Sequence, residues 1–224
     1  MREPDWVFQR AAAPALGPCA LTGSNYIGLA GCGVIAVTDD SFIVQAPTHG
    51  QAAFLWASLG DGARAKWWTG RGAQVLQGAV MAWGSDVVHI TGASRMGASL
   101  TALGLGRRGW SLLCDGVVPI LDGECVVTSP HVTIDAQDLP LVGNPMAVEL
   151  PTARPRASVA LPQHHDAAIT STLHLRLRVA PITPRIISGG DKDILEWGAG
   201  GDRDHTLANL PIRVADEIER FVKP

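Results

Sequence analysis

The sequence predicts an α/β protein, a mixed β-sheet with a P-loop-like strand–loop–helix unit at its centre. Three observations carry this. Short runs of β-branched and apolar residues recur along the chain, bounded by Gly, Asp or Asn. Helical spacing is confined to a few stretches. Residues 75–120 then run strand, turn, strand, glycine-bounded loop, helix, strand, the order in which a helix crosses over a sheet.

Taken in order, residues 1–70 form a β-rich region with one helix. Tyr26–Leu29, Gly33–Thr38 and Ser41–Gln45 have strand composition, and Asp39-Asp40 supplies a tight turn between the last two. Ala52, Ala53, Leu55, Trp56 and Leu59 repeat at helical spacing, which predicts a helix over 49–59 that ends at Gly60-Asp61-Gly62. Trp67-Trp68 follows in a short polar stretch from Lys66 to Arg71. One ring is assigned to the core, and the other is left open between core and an exposed interface anchor.

The P-loop-like core is expected over 71–142. Val75–Met81 reads as a strand, Trp83–Asp86 as a turn, and Val87–Thr91 as a nearly all-apolar strand suited to a mixed or parallel sheet. Gly92–Gly97 is a glycine-bounded loop, and residues 99–108 form a helix stopped by Gly109. Trp110–Cys114 is a strand ending at Asp115-Gly116, and Asp122-Gly123 is a hairpin turn. Residues 143–167, with Pro145, Pro151, Pro155 and Pro162, read as a Pro-rich loop or linker. Residues 168–224 complete the core. Thr172–Val179 sets His174, Arg176 and Arg178 against Leu173, Leu175 and Leu177, the pattern of an edge-like strand with one polar face, and Ile212–Val222 is an amphipathic helix.

Composition narrows the function classes. Hydrophobic residues make up 46% and charged residues 17%, which argues against disorder. Mean hydropathy is +0.16, yet every apolar stretch is broken well short of the ~18 residues of a membrane helix. A formal charge of −3 disfavours a nucleic-acid protein led by a basic patch. The start, Met1-Arg2-Glu3-Pro4-Asp5-Trp6, does not resemble a signal peptide. Cys19, Cys32, Cys114 and Cys125 form no C-x-x-C pair and read as reduced thiols in a cytoplasmic protein.

The chemistry concentrates in Gly92-Ala93-Ser94-Arg95-Met96-Gly97-Ala98-Ser99. Against the phosphate-binding pattern G-x-x-x-x-G-K-[ST], both glycines and Ser99 are in place, while Ala98 stands where lysine belongs. Glycines let the backbone turn its amides onto a phosphate, the helix that follows adds its dipole, and the hydroxyl ligates Mg²⁺. The lysine would follow charge in the transition state, which alanine cannot do. The same pattern fits an ordinary tight turn between strand and helix.

Over about 45 residues, Leu76–Met81, Val87–Ser94, Gly97–Ser99 and Arg108–Val118 together resemble the catalytic domain of HPr kinase/phosphorylase and its shorter relatives. The resemblance implies an HPr-kinase-like fold. It also implies a nucleotide site built from Gly92, Ser94, Arg95, Gly97, Ala98 and Ser99, with ATP and Mg²⁺ as cofactors, Ser99 as metal ligand and Asp115 as the base that activates the attacking hydroxyl. Self-association is a further implication. The departures fall on chemistry: Gln77 replaces a histidine, Arg95 a glycine, Ala98 the lysine, and Gly116 the second of two paired acids. One preorganised electrostatic group is typically worth about 10²–10³ in rate. Losing three charged or titratable groups predicts a degenerate, non-catalytic member that serves as a regulatory or scaffolding subunit with a protein or peptide partner. The alternative is an ATP-dependent serine kinase acting on a peptide or small protein. Neither a membrane nor a nucleic-acid partner is expected.

Other groups carry less. His164-His165-Asp166, Asp191/Asp193 and Asp202/Asp204 have ligand-like spacing but read as solvated loops and turns. No G-x-S-x-G elbow occurs, which disfavours a serine hydrolase. Arg176 and Arg178 share a face able to hold an anion or an acidic partner, but a solvated edge strand is the favoured reading, since charged edges also block aggregation.

Overall fold

The computed structural model describes residues 3–12, 20–23, 25–92, 97–128, 131–142, 147–162, 171–178, 185–189, 192–198 and 218. Among these the chain is mixed α/β, with three sheets and two α-helices. It divides into two compact units: residues 1–76 with 119–125 and 149–156, and residues 77–118 with 126–148 and 157–224.

In the first unit, β1 (Trp6–Arg10), β2 (Ala20–Thr22), β3 (Tyr26–Leu29), β4 (Gly33–Val37) and β5 (Phe42–Ala46) form a sheet in the order β1-β5-β4-β3-β2. The three strands expected from sequence are present, and their pairing is antiparallel. β1 is an addition. It pairs parallel with β5, placing Trp6 beside Phe42. Alternation along β5 buries Phe42, Val44 and Ala46 on one face, and α1 (His49–Thr69) packs on the sheet.

Helix α1 overruns its predicted end by a full ten residues. Thr48 caps its start, its Oγ1 accepting from the Gln51 amide at 3.2 Å. Gly60 does not stop the helix because it lies on the buried side, where even a Cβ would come 3.2 Å from the Trp56 ring. Ala52, Leu55, Ala63, Trp67 and Trp68 keep the apolar stripe running, so tertiary packing overrides the glycine penalty of ~1 kcal/mol. Both rings of the Trp67-Trp68 pair are core. They meet edge to face at 4.9 Å, with Trp67 Nε1 donating to the Asp39 carbonyl at 3.1 Å and Trp68 Nε1 donating to the Glu3 carboxylate.

The remaining strands are β6 (Gln74–Trp83), β7 (Asp86–Gly92), β8 (Ser111–Leu121), β9 (Glu124–Cys125), β10 (His131–Asp135), β11 (Val148–Leu150), β12 (Arg156–Ala160), β13 (Ser171–Arg178), β14 (Arg185–Gly189) and β15 (Lys192–Gly198). A seven-stranded sheet runs β14-β15-β13-β7-β6-β8-β9, and a three-stranded one runs β10-β12-β11. β7 is parallel to β13 and antiparallel to β6, the mixed environment its apolar sequence predicts. Helix α2 (Ala98–Gly106) packs against β7 and β10. Its Leu100, Leu103 and Leu105 join Met81, Val88, Ile90, Trp110, Leu112 and Ile134 in one apolar cluster.

Three further expectations are corrected. β8 does not stop at Asp115 but runs through it to Leu121, because Gly116 takes a positive φ (78°) that lets the strand turn locally and continue. Part of 143–167 is not loop, since β11 and β12 form there; Pro151 and Pro155 fall between the two strands and Pro162 after them, where no ladder donor is lost. β13 is no edge strand, for it lies between β7 and β15. Alternation in a sequence identifies the two faces of a strand and is silent about its edges. His164, His165, Asp166, Asp191, Asp202 and Asp204 lie outside the described residues, as does the 212–222 helix apart from Ile218, which is helical and buried. No helix among the described residues is long and apolar enough to cross a membrane.

Candidate functional site

Two of the residues singled out by sequence, Ser99 and Asp115, meet where α2 and β8 come together. β7 ends at Gly92. Ser94 and Arg95 lie outside the described residues. The chain resumes at Gly97, the N-cap of α2, with φ 91° and ψ 18°. Ala98 and Ser99 are the first two residues of the helix, and the Gly97 carbonyl accepts from the Thr101 amide at 2.8 Å. α2 therefore starts one residue ahead of the Ser99 that the sequence suggested.

Ser99 and Asp115, sixteen residues apart, are brought into direct contact. Ser99 Oγ donates to Asp115 Oδ1 at 2.9 Å. The other carboxylate oxygen, Oδ2, accepts the backbone amide of Thr133 on β10 at 3.0 Å. Asp115 is only 7% exposed. Its side chain thus ties α2, β8 and the three-stranded sheet together through these two hydrogen bonds. The same pair of hard oxygens is what a Mg²⁺ ion uses when a hydroxyl and a carboxylate share it. Among the described residues no group of three or more His, Cys, Asp or Glu could hold a metal ion.

Ala98 is half-buried and packs against the apolar cluster. Gln77 is exposed on β6. Gly116, where the resemblance expects an acid, has a backbone conformation that L side chains seldom adopt. Sequence reasoning missed Thr133, whose contribution is a main-chain amide and leaves no trace in residue type. It also passed over His89 and Thr101. His89 is 4% exposed in the middle of β7, and a histidine in an all-apolar strand was the available signal. Thr101 is fully buried on α2, and its hydroxyl has no hydrogen-bond partner among the described residues.

Among solved structures, the chain is similar to the HPr(Ser) kinase/phosphatase from Coxiella burnetii. The two are 16% identical, the match covers 66% of this chain and 95% of that one, and the TM-score is 0.36. No protein-family model and no curated protein matches the chain.

Proposed function

We propose that this chain is a degenerate HPr-kinase-like protein that acts without catalysis, as a regulatory or scaffolding subunit for a protein or peptide partner. The observation that carries the proposal is Ala98. At the first position of α2, where a phosphate-handling cation would stand, the side chain is a methyl group packed on the apolar core. A lysine there supplies a mobile charge to the outer phosphates, and no neighbouring hydroxyl or amide replaces that. Gly116 supports the same reading, because its conformation is fitted to glycine at the place of the second acid. On this reading the Ser99–Asp115–Thr133 bonds are structural, holding α2 and β10 to β8.

The second reading, an ATP-dependent serine kinase, draws on the same 2.9 Å contact between Ser99 and Asp115. Ser99 would hold Mg²⁺ and Asp115 would serve as base. Thermal unfolding with and without ATP·Mg²⁺ separates the two. The non-catalytic reading expects no shift in Tm for the natural chain, no phosphate release, and a nucleotide-dependent shift only after Ala98→Lys. A Tm raised by ATP·Mg²⁺ in the natural chain, with turnover abolished by Asp115→Asn, establishes the kinase instead.

A further inference from the structure

β1 ends its sheet: among the described residues β5 is its one ladder partner, and no strand pairs with its other side. One hydrogen bond fixes which way its main chain points. Ala11, the next residue after the strand, donates its amide to the Ala46 carbonyl at 3.0 Å. Along an extended strand in a parallel ladder, the N–H and C=O of one residue point to the same side, and successive residues alternate sides. Ala11, Gln9 and Val7 therefore turn theirs to β5, while Trp6, Phe8 and Arg10 turn theirs outward. Each outward residue brings one donor and one acceptor to the open edge.

Natural sheets blunt such an edge with proline, lysine, a bulge or a very short strand. Trp6–Arg10 is five residues long, has neither proline nor lysine, keeps a negative φ throughout and carries a single charge, at its end. Val7, on the face turned from α1, is 54% exposed.

The strand is also self-complementary. Trp6, Phe8 and Arg10 share the face toward α1, with Arg10 exposed. Trp6 is stacked on Trp56 at 6.0 Å, and Phe8 meets the His49 ring edge to face at 5.4 Å, so both rings are in place before a partner arrives. In an antiparallel pair, residues directly opposite one another lie on the same face. A half-turn about Phe8 sets Phe8 opposite Phe8 and Trp6 opposite Arg10, the latter twice. This register engages all three outward residues of both strands, whereas a slip of two residues leaves Trp6 or Arg10 without a main-chain partner. A guanidinium over an indole is an attractive cation–π contact, and the chain already makes one where Arg71 lies 3.7 Å over the Trp67 ring. The two Arg10 charges fall about 13 Å apart along the strand, further than the screening length, so they repel little.

We propose that β1 pairs antiparallel with β1 of a second copy of this chain, centred on Phe8, and joins two five-stranded sheets into one. None of these residues takes part in the Ser99–Asp115 contact, so the pairing stands apart from the function proposed above.

Sedimentation of the full chain tests this from about 1 to about 200 μM, the range in which small interfaces associate. The mass is expected to rise with concentration from 23.6 kDa toward twice that value. Hydrogen exchange followed by NMR gives the local readout. The amides of Trp6, Phe8 and Arg10 slow as the dimer forms, while those of Val7 and Gln9, bonded to β5, are slow at every concentration. Arg10→Glu, at an exposed position, removes both cation–π contacts and weakens the dimer by about tenfold. Phe8→Pro deletes the central outward donor without taking a bond from β5 and abolishes the dimer; Arg10→Glu decides the matter where that variant does not fold. A single 23.6 kDa species over the whole range overturns the proposal. So does a dimer that Arg10→Glu leaves as tight as before, or one in which the Phe8 and Arg10 amides still exchange freely. A chain that stays monomeric, with those amides slowed only by an added extended peptide, gives the edge to a different partner and overturns it too.

Discussion

At the residue scale, charges and close contacts decide more than composition does. Arg64 on α1 donates from Nε to Glu3 at 2.8 Å and from Nη1 to Asp61 at 3.1 Å. Arg64 and Glu3 are 12% and 14% exposed. Burial works to lower the Arg64 pKa, but the carboxylates of Glu3 and Asp61 outweigh it and hold the group above its ordinary value, so it stays charged. Removing one member of such a pair strands the other charge, which typically costs about 3–5 kcal/mol. Arg64→Met should therefore lower the urea midpoint strongly, while Glu3→Gln with Arg64→Met should lose much less than the two single changes added together. Gly78 makes a second case. With φ 147°, it sits so close to β7 that a Cβ would come 2.2 Å from the Ile90 carbonyl oxygen. Gly78→Ala is expected to cost about 3 kcal/mol, read as a drop in denaturation midpoint without a change in slope. Ser99 and Asp115 were legible in the sequence because a known spacing pointed to both. The Glu3–Arg64 pair was not, since nothing local links residues 61 positions apart.

At the scale of elements, type was easier to read than extent. β3, β4, β5, β7 and the Asp122-Gly123 turn fall where alternation and turn residues put them. The turn has φ 53° and 85° at its two centres, as a tight right-twisted hairpin requires. Ends failed at two glycines: packing carried α1 through Gly60, and the positive φ of Gly116 let β8 continue. β1 escaped notice because Trp6–Arg10 mixes polar and apolar residues, and only its pairing with β5 makes it a strand. The start of α1, by contrast, depends on one local group. Thr48→Ala removes the side-chain cap on the Gln51 amide and should destabilise by about 1 kcal/mol, observed as a fall in Tm with little change in helical circular dichroism at low temperature. The position is exposed, so no packing loss confuses the measurement.

For the whole molecule, topology sets the order of assembly. The first sheet and α1 are closed within residues 6–69, with mostly neighbouring strands paired. The seven-stranded sheet needs β7 to find β13 in the second half of the chain, in parallel register. Non-local parallel pairing is slow, because loop closure comes before the contacts that reward it. Pulse-labelled hydrogen exchange during refolding should protect amides of β3, β4 and β5 before those of β7 and β13; the reverse order would contradict the prediction. This connection was hidden from the sequence, which marks β13 as a strand but does not name its neighbours.

Trp6, Trp56, Trp67 and Trp68, four of the seven indoles in the chain, belong to the first unit, where Trp6 stacks on Trp56 at 6.0 Å and the Arg71 guanidinium lies 3.7 Å over the Trp67 ring. Trp83, Trp110 and Trp197 belong to the second unit, so a melting curve followed by fluorescence reads both, and a curve with two transitions would show that one unit unfolds before the other.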